Sequence, residues 1–231
     1  MNENVFGGRL KHASFDNEFY TLLKDEEITK ALAIVELWAD TYNKDSNGIY
    51  IGSFNPGRCK TSLLACIYNR FTKKNYSVTA ISMDDIDSSS ISSLKKYPIL
   101  LIDDIGICSF SGYKGDDANA LLYELINTRY NDNLTTCFTS NYTFDQLVKE
   151  RGILKQTVDR IKGLTAGNWI TIKGESIRAN KDLAEIENKA RDTDDSISFN
   201  LNCGISEMRS HALDYLNSKK ASRRASIRSA E

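Results

Sequence analysis

Proline is nearly missing from this 231-residue chain: only Pro56 and Pro98 occur, both beside the segments that carry its most suggestive motifs. Helices and central strands can therefore run unbroken. Histidine is as scarce, with two residues, and the five cysteines (Cys59, Cys66, Cys108, Cys137, Cys203) are scattered, odd in number and without a CxxC pair. These absences argue against a zinc site and against a disulfide framework. Charge of one sign is lacking too, since 30 basic residues face 31 acidic ones. Any site for a polyanion must then be local. No run reaches the roughly 18 apolar residues of a membrane span, and the first residues, "MNENVFGGRLKHASFDNEF", hold no apolar signal core. The expected setting is the reducing cytoplasm, with no membrane partner.

A chain of this length can bury one sizeable core. After a lead-in over residues 1–24 that reads as irregular through residue 20, Ile28, Leu32, Val35 and Trp38 recur at helical spacing and predict a helix over 25–42. Asn47-Gly48 breaks it, and "IYIGS" reads as a buried strand. A helix is expected from Thr61, a strand at "SVTAISM" and a weak helix in the serine-rich stretch that follows. "PILLIDDIG" is an apolar run closed by two aspartates, as suits a central parallel strand covered on both faces. The stretch "FSGYKGDDAN" reads as a loop, "ALLYELINTRYND" as a helix and "LTTCFTSN" as another buried strand. Thr143 is placed to cap a short helix, and "GNWITIKGESIR" reads as a closing hairpin or strand. The alternation implies an α/β fold with a parallel sheet between helical layers. Residues 180–231 form an extension, helix-prone at first and then basic, serine-rich and expected to be disordered.

Three stretches carry chemistry. "FNPGRCKT" places Lys60 and Thr61 where a phosphate-binding loop has its lysine and hydroxyl, with Pro56, Gly57, Arg58 and Cys59 before them and Ser62 after. It departs from GxxxxGK[ST] at both glycines, which are Phe54 and Cys59 here. The plain alternative is an ordinary strand-turn-helix. Asp103 and Asp104 end a buried strand, where paired carboxylates suit magnesium and the polarisation of a hydrolytic water, or simply cap the next segment. Asn141 ends the strand "TTCFTSN", where its amide could orient a water or serve only a turn.

In this order, with "RLKHASFDNEF", "NTRY", "DRI" and "GESIR", the motifs resemble the AAA+ ATPases of the DnaC/DnaI helicase-loader group, which includes the IstB transposition ATPases. The resemblance covers about residues 9–179 and implies a three-layer αβα P-loop core over 25–179 that binds ATP and Mg2+. Lys60 and Thr61 would contact phosphate and magnesium, Asp103 would be linked to the metal, and Asp104 would activate water. Asn141 would be the polar sensor. Arg160 would complete a neighbouring subunit's site in a head-to-tail oligomer, and Arg178 would be a second sensor. Arg129 matches a family arginine without an assigned role; as a guanidinium at a buried seam it favours an interface or phosphate contact.

The implied activity is loading a replicative helicase onto single-stranded DNA. The alternatives are a transposition ATPase that coats duplex DNA and recruits a transposase, or a non-hydrolysing adaptor with a degenerate loop. Gln156 stands where the group often has a further arginine. Because the "ASFDNEF" entry comes within the first 20 residues, the resemblance implies no room for the group's N-terminal helicase-binding domain, so the expectation is either partner binding through the C-terminal extension or a reduced relative from a phage or mobile element. A residue with a β-carbon at position 59 is cheap at negative φ and costly in the left-handed region.

Overall fold

The computed structural model describes residues 6–192, apart from residues 18, 107, 108, 111, 112, 115 and 181. The basic tail, with Lys219, Lys220, Arg223, Arg224 and Arg228, lies outside the described residues, as do Cys108 and Cys203.

Five parallel strands form the sheet: β1 (Tyr50–Gly52), β2 (Val78–Ser82), β3 (Ile99–Asp103), β6 (Thr135–Ser140) and β7 (Trp169–Thr171). Their order is β2-β3-β6-β1-β7. Strand periodicity divides the core between the two faces. Ile99, Leu101 and Cys137 point to one side, where they meet α2 (Glu26–Asp40) and α3 (Lys60–Lys73). Leu100, Ile102 and Phe138 point to the other, against α4 (Ser88–Leu94), α5 (Asp116–Asn131) and α7 (Lys155–Thr165). The fold is thus the expected three-layer α/β sandwich.

Local chemistry sets the helix starts. Asp25 caps α2 by accepting the Ile28 N–H at 3.0 Å. Thr143 caps α6 (Phe144–Lys149) in a reciprocal capping box with Gln146.

Several segments differ from the sequence reading. The lead-in is not wholly irregular: α1 (Phe19–Leu22) forms there, and Phe6, Phe15 and Tyr20 are buried in the core beside α2 and α3. α8 (Leu183–Asp192), the helix-prone start of the extension, packs on α1. The stretch read as a loop contains a small antiparallel ribbon, β4 (Ser109–Phe110) with β5 (Tyr113–Lys114), and α5 begins at Asp116. The closing segment is an edge strand parallel to β1. α7 was not foreseen as a helix. Val158, Ile161 and Leu164 do recur every three residues and are buried, but Gly163 and polar neighbours dilute the pattern.

Candidate functional site

In a parallel sheet the loops leaving the carboxyl ends of the strands converge. Here β1 leads into the Ser53–Cys59 loop, β3 ends on Asp103, and β6 ends one residue before Asn141. The pairing of Ile102 with Phe138 sets Asp103 beside Thr139.

Side chains from the three motifs meet there. Lys60, buried at the first position of α3, donates from Nζ to Asn141 Oδ1 at 2.6 Å. Thr61 Oγ1 donates to Asp103 Oδ1 at 3.2 Å, and Thr139 Oγ1 donates to the same oxygen. Burial pushes the Lys60 ammonium down from its ordinary pKa, opposed by the charges of Asp104 and Asp103. Burial pushes the Asp103 carboxyl up, opposed first by the Thr139 hydrogen bond. Both shifts disfavour the charged forms, so a bound polyanion and cation would each relieve one of them.

The two altered loop positions differ in kind. Phe54 is 59% exposed and its backbone is not left-handed, so a side chain there meets no obstacle. Cys59 is the N-cap of α3 with φ 58° and ψ 14°, which is the glycine-type conformation. Its thiol packs into the core, and burial pushes it up to about 12, so the site holds no thiolate near neutrality. Gly57 is constrained differently: at φ 71°, a β-carbon would lie 2.4 Å from Ser176 Oγ. Cys59→Gly relieves about 1–2 kcal/mol of left-handed strain and gives up about 1 kcal/mol of burial. Cys59→Ala loses the burial and keeps the strain. Chemical denaturation is therefore expected to find the glycine variant more stable than the alanine one by about 1 kcal/mol. Alanine as the more stable of the pair would contradict the assigned loop conformation.

The loop is braced from outside. Arg58, 2% exposed, forks onto Asp25 at 2.6 and 2.9 Å and donates to the carbonyls of Lys173 and Glu175. Its hydrogen bonds hold the Asp25 carboxyl below the usual range, and Asp25 also caps α2. The Arg58 guanidinium faces inward and ties the loop to α2 and to the segment after β7, which leaves its backbone as the part of this expected loop residue that is turned to the loop. Asn55 Nδ2 to Gly174 O (3.0 Å) and Ile177 N–H to Gly57 O (3.1 Å) complete the brace.

Among the other expected residues, exposed Arg178 lies against Gly57, and its charge is felt at Lys60. Pro56 and Ser62 belong to the loop and the first turn of α3. Asp104 follows β3 at φ 55°, its N–H bonded to Thr139 Oγ1 at 2.8 Å. Arg160 is placed elsewhere in the protomer: it stacks over Tyr130, 4.6 Å from the ring centroid, and bonds Asn127 at 3.3 Å. Arg129, whose role the sequence leaves open, takes neither an interface nor a phosphate position. It is fully buried at the opposite end of the strands, donating to Thr136 Oγ1 and to the carbonyls of Leu94, Tyr97 and Thr135. It is a structural tie and touches neither phosphate loop nor surface. Sequence reading missed Asp25 and Thr139, whose only signals were a cap-like position and a place two residues before Asn141.

The arrangement fits a nucleoside triphosphate with a hard cation. Cys59 offers α3 no side-chain cap, so the first-turn N–H groups of a 14-residue helix are left for an anion that would satisfy them. Thr61 and Asp103 would offer two oxygen ligands to a cation, and magnesium commonly takes one or two carboxylates with substrate phosphates. Among the described residues, no three or more His, Cys, Asp or Glu side chains converge on a cation cage, and no helix is long and apolar enough to cross a membrane. A groove of about 740 Å3 between α6 and α7, lined by Phe144, Val148, Leu154 and Val158 with Lys155 and Lys162, contains none of the converging side chains.

No family model and no curated protein matches the chain. Solved structures do. DnaI is 24% identical over 74% of this chain and 94% of its own, with a TM-score of 0.57. The DnaC helicase loader is 19% identical over 72% of this chain and 100% of its own, also at 0.57. The replication initiator DnaA, bound to AMPPCP and single-stranded DNA, is 18% identical over 78% of this chain and 63% of its own, at 0.56. In fold, with its five-stranded parallel sheet and the loop-to-α3 turn at Lys60, the chain is similar to DnaI and to the DnaC helicase loader.

Proposed function

We propose that the chain binds ATP with Mg2+ and hydrolyses it, and that it uses this cycle to load a replicative helicase on DNA. The observation that carries the reading is the convergence of Lys60 with Asn141 and of Thr61 with Asp103 at the carboxyl ends of β1, β3 and β6. Lys60 neutralises the terminal phosphates, and the N–H groups of the first turn of α3 hold the phosphate oxygens. Thr61 and Asp103 would hold the metal, which would supply charge neutralisation when bound. Asp104 accepts the proton of the attacking water, and Asn141, handing over the Lys60 ammonium to the phosphates, orients that water. Arg178, which lies beside Gly57, acts as a second sensor of the nucleotide. Arg160, half-exposed and stiffened by Tyr130 and Asn127, is suited to reach the nucleotide of an adjoining subunit in a head-to-tail assembly.

Likeness in fold to DnaI, to the DnaC helicase loader and to DnaA bound to AMPPCP and single-stranded DNA supports this reading. Purified protein is expected to bind labelled single strands with ATP and Mg2+ and to release them without nucleotide, followed by fluorescence anisotropy. A preference for duplex would redirect the proposal to a transposition-type ATPase. Absence of binding in every nucleotide state would overturn it. The strained Cys59 conformation favours one second reading, an adaptor that binds nucleotide without turnover. Phosphate release above the background of Asp104→Asn would exclude that reading.

A further inference from the structure

We propose that Thr139 is the positioning residue for both acidic side chains of the site, an inference that rests on the ATPase reading above. A threonine hydroxyl has one proton to donate and lone pairs to accept with. Both capacities are used here. Thr139 Oγ1 donates to Asp103 Oδ1 and accepts the Asp104 N–H at 2.8 Å, while Thr139 O accepts the Ile105 N–H at 2.8 Å. One fully buried residue of β6 thus holds three consecutive residues leaving β3.

Each bond has a consequence for geometry. Asp103 Oδ1 receives hydroxyls from both Thr61 and Thr139, which turns the carboxylate plane and leaves Oδ2 as the oxygen with lone pairs to spare. Asp104 sits at φ 55°, a conformation that a residue with a side chain keeps only when its surroundings fix it. The bonds to its own N–H and to that of Ile105 are what fix it, and they set the direction of the Asp104 carboxylate. Thr139 Oγ1 hydrogen-bonds to Asp103 and Asp104 and not to Lys60, so loss of this hydroxyl should disturb the acids, and through them turnover, more than the hold of Lys60 on the nucleotide.

The test is steady-state ATP hydrolysis by Thr139→Val, which keeps the shape and removes the hydroxyl, and by Thr139→Ser, which keeps the hydroxyl. Thr139→Val is expected to lower kcat by about tenfold or more, with a clearly smaller rise in KM for ATP. Thr139→Ser should recover kcat to within about threefold of the parent chain. Thr139→Ala should show the same split if the valine variant does not fold. An unchanged kcat in Thr139→Val, a loss that Thr139→Ser does not restore, or a rise in KM parallel to the fall in kcat would overturn the assignment. A parent chain that binds ATP but does not turn it over would overturn the ATPase reading itself, and the assignment with it.

Discussion

Asp104→Asn is expected to abolish ATP turnover by about 100-fold or more while leaving ATP affinity within about threefold of the parent chain. The amide matches the carboxylate in shape but cannot take a proton from water at neutral pH. The backbone bond that fixes the turn, from the Asp104 N–H to Thr139 Oγ1, is unaffected by the change. Asparagine also tolerates φ 55° as well as aspartate does, so the fold is not the variable. Phosphate release measured beside equilibrium ATP binding separates the two quantities. A variant that turns over ATP within tenfold of the parent would remove Asp104 from the chemistry.

Arg129→Met is expected to destabilise the protein by about 3–5 kcal/mol, the largest stability effect foreseen for a single residue. Arg129 has no exposed surface, and burial brings its pKa down to about 10, leaving it protonated at neutral pH. Its guanidinium closes three backbone acceptors, the carbonyls of Leu94, Tyr97 and Thr135, and so ties the end of α4 to the starts of β3 and β6. Methionine fills much of the space but leaves those carbonyls buried and unpaired, at about 1–3 kcal/mol each before relaxation or entry of water. Lysine cannot reproduce the fork and should recover only part of the loss. Chemical denaturation monitored by circular dichroism gives the comparison, and a loss below about 1 kcal/mol would contradict the tie.

The Arg129 case also marks where the sequence stops being informative. The run "ILLID" and the β-branched, aromatic stretch "TTCFTS" announced buried central strands, and Lys60, Thr61, Asp103 and Asn141 announced the site, because these features are local in the chain and their chemistry is specific. Whether an arginine serves a phosphate or a backbone carbonyl depends on which end of the sheet it reaches. Arg58 and Arg129 both turned inward, onto partners remote in sequence or on neighbouring elements. The conformation of Cys59 was likewise a conditional question in the sequence. Only its φ of 58° shows that the lost glycine carries a strain, whereas the lost glycine at Phe54 carries none. α7 was hidden for a different reason, since its buried residues are few and spaced by polar ones that face solvent or α5.

The central claim is that the loop from Ser53 to Thr61 still holds ATP despite Cys59. Calorimetric titration of the parent chain and Lys60→Ala with ATP and Mg2+ tests it most directly. Removing a charge-assisted contact to phosphate is worth about 1.5–3 kcal/mol, a roughly 10- to 150-fold rise in Kd. The account predicts saturable, Mg2+-dependent binding by the parent and a loss of that size in Lys60→Ala. An absence of saturable binding by the parent, or equal affinity in the two proteins, would contradict it.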